Sequence, residues 1–78
     1  MNINDFLRNF ENSIENIEAN SLTTETKFKE IEQWDSLALL TTLAMIDSEY
    51  KVALTAEEID QCITIADLLD LTKLKAAK

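Results

Sequence analysis

Asp35-Ser36-Leu37 places a hydroxyl beside a carboxylate, directly after the chain's single tryptophan, Trp34, and at the head of a leucine-rich run. Such a pair suggests nucleophilic chemistry. A serine becomes a useful nucleophile near neutral pH only when a base takes its proton. Histidine is absent from all 78 residues, so neither a Ser-His-Asp arrangement nor a histidine metal site can be assembled. Glycine is absent too, which removes the glycine-rich loops that cradle phosphates. The pairs Glu30/Glu32 and Glu57/Glu58 lack the pattern of a calcium loop and read as solvated acidic surface. No catalytic residue and no metal site is identified, and the chain is expected not to be an enzyme. Ser36 suits the opposite role, that of a group modified by another enzyme. A phosphate ester on its hydroxyl would sit at a helix N-terminus, where backbone N–H groups and the positive dipole end favour an anion. Asp35 would help to hold Mg²⁺ during the transfer.

The elements that must position Ser36 follow from the hydrophobic pattern. Ile3, Phe6, Phe10, Ile14 and Ile17 recur at spacings of three and four, with Leu7 widening the stripe, which predicts an amphipathic helix over residues 3–18. Asn2 or Asn4 caps it. From Ala19 to Trp34 the periodicity fails, and the reading is a long loop pinned by Leu22, Phe28 and Ile31. Loops of that length in compact domains are often functional. Residues 36–50 form the second helix, with Asp35 or Ser36 at its N-cap. A helical wheel puts Leu37, Leu39, Leu40, Leu43, Ala44, Ile46 and Tyr50 on one broad inward half. It leaves Ala38, Thr41, Thr42, Met45, Ser48 and Glu49 outside. Asp47 falls within the inward half and is expected to reach a cap or a cation. Thr55-Ala56-Glu57-Glu58 reads as a capping box for a short helix ending near Gln61. Thr64 and Asp67 open a last helix through Leu74, with Ile65, Leu68, Leu69 and Thr72 inward and Lys73, Lys75 and Lys78 complementing its dipole. Of all segments YKVAL, residues 50–54, comes nearest to a strand, and it has no partner. The expected fold is all-α: a four-helix bundle of three main helices and one short one, in a single domain over residues 1–78.

Composition narrows the partners. A chain of this size hides only about 60–65% of its unfolded surface, too little for a deep enzyme cleft. Fifteen acidic residues against seven basic ones leave a net charge of −8, which opposes binding to nucleic acid, since a polyanion is held by Lys and Arg. Cys62 is the only cysteine, so no intramolecular disulfide forms. It reads as a small buried hydrophobe in a reducing compartment. The start MNINDFLRNF lacks the features of a secretory signal, and no run approaches the ~20 apolar residues of a membrane span. A cytoplasmic monomer that binds neither nucleic acid nor membrane is expected.

Asp35-Ser36-Leu37, heading an apolar helix after a long loop, resembles the phosphopantetheine attachment site of acyl carrier proteins. The resemblance extends over nearly the whole chain. The amphipathic first helix, the loop, DSLALLTTLAMIDSEY and LTAEEIDQCITIADLLDL follow in the family's order and spacing. It implies that Ser36 accepts 4′-phosphopantetheine from coenzyme A through a separate phosphopantetheinyl transferase. The protein would then hold acyl intermediates as thioesters on that arm, loaded by a ligase and passed to pathway enzymes. Asp35 matches the acid that assists the metal during transfer, and Leu37 matches a leucine that partners contact. The resemblance further implies that Leu40, Leu43, Ala44, Ile46, Leu54, Cys62 and Leu68 line a core able to open around cargo.

The chain departs from the family in one respect. Carriers of fatty acid synthesis bear several acids on the outer face of the second helix, whereas the corresponding positions here include Ala38, Thr41, Thr42 and Met45. A carrier for a specialised fatty-acid or polyketide type of pathway is therefore expected. Partners would recognise it through Leu37, Ala38, Thr41 and Met45, assisted by Glu30, Glu32, Asp47, Glu49, Glu57 and Glu58. An aminoacyl or peptidyl carrier, and an unmodified helical interaction module, are the competing readings.

Overall fold

Asn2 opens the first helix: its Oδ1 accepts the backbone N–H of Asn4 at 2.8 Å and of Asp5 at 3.2 Å, which satisfies two of the donors that a helix start leaves free. The computed structural model describes residues 2–76. Its element order is α1 (Ile3–Ser13), a 3-10 turn (Phe28–Glu30), α2 (Ser36–Tyr50), α3 (Ala56–Asp60) and α4 (Ile65–Ala76). The fold is all-helical as expected. No strand forms among the described residues, and YKVAL runs from the end of α2 into irregular chain. No described helix is long and apolar enough to cross a membrane.

α1 stops at Ser13 rather than at residue 18. Ser13 Oγ donates back to the Phe10 carbonyl at 2.7 Å, Ile14 adopts an extended conformation, and Asn16 takes a left-handed φ of 67°. In a chain without glycine, asparagine is the residue that enters that region at least cost. Ile14 remains buried and Ile17 half-buried, so the apolar spacing continues past the helix while the backbone does not.

The long loop is fixed at several points. Leu22 and Phe28 are buried and Ile31 is half-buried. Trp34 stacks on Phe10 with centroids 6.3 Å apart and meets the edge of Phe28 at 5.1 Å, which makes it a packing anchor. The carbonyls of Thr24 and Thr26 accept the N–H groups of Ala66 and Ile65 at 2.8 and 3.0 Å, so the loop also closes the start of α4. Both expected caps form. Thr55 and Glu58 bond reciprocally, and Asp67 Oδ2 accepts from Ile63 and Thr64 while Thr64 Oγ1 accepts from Asp67. Lys75 lies in the last turn of α4 and also pairs with Glu58. Lys78 lies outside the described residues. Phe6, Phe10, Phe28, Ile46, Ile59, Ile65 and Leu68 form the centre of the core, with Thr72 buried beside them and its hydroxyl donating to the Leu68 carbonyl at 2.8 Å.

Candidate functional site

The N-terminus of α2 settles how Asp35 and Ser36 divide their work. Asp35 is the N-cap: its Oδ1 accepts the Ala38 N–H at 2.8 Å, and its carbonyl accepts the Leu39 N–H at 3.0 Å. Ser36 is the first helical residue. It is exposed, and its hydroxyl makes no hydrogen bond among the described residues. The N–H groups of Ser36 and Leu37 also lack partners among those residues. An exposed hydroxyl, two free N–H donors and the positive end of a 15-residue helix form an arrangement suited to a phosphodiester. One Asp35 oxygen is occupied by the cap, and the other has no partner among the described residues.

The inward face of α2 differs from expectation. Ala38, Thr42 and Ile46 are its buried residues, while Leu37 and Leu40 are 59% and 62% exposed. Ala44 and Asp47 are exposed as well, and Leu39, Leu43 and Tyr50 are half-buried. The helix is turned by roughly 120° from the wheel, at 100° per residue. The physical reason is that α2 is apolar almost all round, so its own pattern selects no face. The neighbouring helix selects it instead. Small side chains at Ala38 and Thr42 let α1 approach, and Ser13 Oγ lies 3.4 Å from Thr42 Oγ1. Ala38 and Thr42 are therefore core residues, not outer contacts. Leu40 and Ala44 are surface residues, not core. Among the described residues the Asp47 side chain reaches neither cap nor cation; its backbone carbonyl accepts the Lys51 N–H at 3.0 Å.

Of the other candidate positions, Ile46, Leu54, Cys62 and Leu68 are buried. Burial, reinforced by the charge of Asp67, pushes the Cys62 thiol above its ordinary range. Thr41 and Met45 are half-buried, and Glu30, Glu32, Glu49 and Glu57 are exposed. Glu58 is engaged: the Lys75 ammonium and the Thr55 N–H hold its carboxyl below the usual range. The structure also adds residues that no motif marked. Asp35, Leu37, Ala38 and Thr41 face Ser13, Ile14, Asn16 and Gln33 across a groove of about 170 Å³ beside Ser36. Gln33 Nε2 donates to the Asn16 carbonyl at 3.1 Å. The one signal for this grouping in the sequence was the length of the loop that supplies Gln33.

One family description, phosphopantetheine attachment site, matches residues 5–72, from the first turn of α1 into the last turns of α4. Comparison with curated proteins and with solved structures gives no match.

Proposed function

The chain belongs to the phosphopantetheine attachment family of carrier domains, and we propose that Ser36 is the residue that carries the group. The domain bears 4′-phosphopantetheine covalently, and domains of this family carry cargo rather than transform it. The observation that supports Ser36 is its free, exposed hydroxyl at the first position of α2, next to unpartnered N–H groups, with capping already done by Asp35. When bound, the arm supplies a terminal thiol that holds cargo as a thioester. The chain's own residues present the hydroxyl, receive the phosphodiester charge at the Ser36 and Leu37 N–H groups, and keep the Asp35 carboxylate alongside for Mg²⁺.

We further propose an acyl carrier of a specialised pathway. The exposed strip of α2 that continues from Ser36 runs through Leu37, Leu40, Ala44, Asp47 and Ser48, so a single acid stands among apolar and hydroxyl groups. Partners that dock there, the transferase and a loading ligase among them, gain mainly from apolar contact at Leu37 and Leu40. Thr41, Met45 and Glu49 flank the same region. The low charge of this strip also favours the second reading, an aminoacyl or peptidyl carrier.

Intact mass spectrometry after incubation with coenzyme A, Mg²⁺ and a broad-specificity transferase tests the attachment. Wild type gains one phosphopantetheine and Ser36→Ala gains none. No addition to wild type, or equal addition to Ser36→Ala, overturns the assignment. Loading trials with acyl and with aminoacyl ligases then divide the two kinds of carrier.

A further inference from the structure

We propose that the arm attached at Ser36 lies in the seam between α1 and α2, with its amides against the side chains of Asn16, Gln33 and Asn12, rather than entering the core. This rests on attachment at Ser36. The groove of about 170 Å³ begins at Asp35 and Leu37, on either side of that serine. A second depression of about 400 Å³ continues from it, sharing Ser13 and Thr41, and runs past Asn12 toward Met45 and Ser48. From residue 36 to residue 45 the helix advances about 13 Å, less than the extended length of a pantetheine chain, so the arm can reach Met45.

The lining matches the arm's chemistry. A pantetheine chain alternates amide groups with short alkyl pieces and carries one hydroxyl and a pair of geminal methyls. The first groove offers an apolar floor, with Ile14 at 6% and Ala38 at 4% exposure, beneath the carboxamides of Asn16 and Gln33. The side chains of Asn12 and Asn16 have no hydrogen-bond partner among the described residues, and Gln33 uses only its Nε2. Glu15 and Asp35 also line the first groove and Glu49 the second. The opposite option requires the bundle to part: Ile46 and Leu68 are fully buried, and they line neither depression. Because the arm is tethered, weak contacts in the seam suffice to hold it, the local concentration being set by the linkage.

Isotope-labelled apo and holo protein, with complete loading verified by intact mass, are compared by NMR. The expected result is a shift of the Ser13 and Asn16 amides and of the Asn16 and Gln33 side-chain NH₂ signals. Ser13 and Asn16 are distant in sequence from Ser36 and so report the seam rather than the covalent change itself, whereas Gln33, three residues away, counts only together with them. Nuclear Overhauser contacts are expected between the arm's geminal methyls and the methyls of Ile14, Leu37 and Ala38. The double variant Asn16→Asp/Gln33→Glu, which replaces the carboxamide N–H donors offered to the arm's carbonyls by acceptor-only carboxylates, is expected to load fully and to lose those contacts. Full loading with contacts to Leu54, Cys62 or Leu68, with no contacts to the chain, or with contacts unchanged in the double variant overturns the seam while leaving attachment intact. Failure of wild type to load overturns attachment and the seam with it.

Discussion

Replacing Leu40 by alanine measures the rotation of α2 directly. The leucine pattern places Leu40 inside, whereas the structure leaves it 62% exposed and puts Ile46 at 0%. Full burial of a leucine side chain contributes about 1.5–3 kcal/mol, so the hidden two fifths of Leu40 contribute about 0.6–1.2 kcal/mol. Alanine keeps one methyl group and has a slightly better helix propensity, which brings the expected loss to about 0.5 kcal/mol or less. Ile46→Ala empties a closed site and costs about 2–5 kcal/mol. Out of a total near 4–12 kcal/mol for a chain of this length, the first is a small shift and the second a large one. Urea unfolding followed by Trp34 fluorescence separates them as midpoints at unchanged slope. A Leu40→Ala midpoint shifted as far as that of Ile46→Ala refutes the rotated helix. The same variant carries the partner surface: it is expected to lower kcat/KM with the transferase about fivefold, the equivalent of about 1 kcal/mol of lost contact.

Asp35→Asn retains an N-cap oxygen for the Ala38 N–H but not the carboxylate charge. Stability is expected to change by a few tenths of a kcal/mol, against about 1 kcal/mol for Asp35→Ala, while phosphopantetheine transfer slows in both. Equal transfer rates for Asp35→Asn and wild type remove Asp35 from the metal-assisting role. Lys51 ends α2 in the left-handed region, at φ 58°. Glycine is free of the Cβ crowding there, so Lys51→Gly is expected to stabilise by about 0.5–1 kcal/mol in the urea midpoint; a loss refutes the strain. The carboxyls of Asp67, through the Thr64 and Ile63 N–H groups, and of Glu58, through Lys75, lie below their usual range. Groups lowered on folding contribute stability above the ordinary carboxylate range, near pH 4, and lose it as the pH falls through their folded values. The urea midpoint is therefore expected to drop below about pH 4, and less steeply in Asp67→Asn; parallel curves for the two proteins refute the link.

The start of α2 at Asp35 and Ser36 was legible in the sequence because its signal is local, a capping residue at the head of an apolar run, whereas the attachment role proposed for Ser36 rests on the resemblance of the whole framework. The caps at Thr55 and Thr64 were legible for the same reason, each being a pair of residues three apart. The end of α1 was not, since Ile14 and Ile17 keep helical spacing while packing from irregular chain. Asn16 held the missing clue, as the residue best able to turn the backbone where glycine is absent. The face of α2 was hidden for a different reason. When both halves of a helix are apolar, orientation is decided by fit against the neighbour, and Ala38 and Thr42 fit α1 where leucines would not.

That choice of face has a functional consequence. Turning small residues inward sends Leu37 and Leu40 outward on one strip with Ser36, so apolar surface is spent beside the proposed attachment point instead of in the core. A chain at net charge −8 tolerates such a strip because like-charged copies repel, while a partner enzyme offering an apolar cleft does not meet that barrier. The inward margin of the same helix, between Thr41 and α1, is rich in amide and hydroxyl groups. Under the two proposals α2 divides its circumference among packing, partner contact and a seam for the arm, and Ser36 stands where the last two meet.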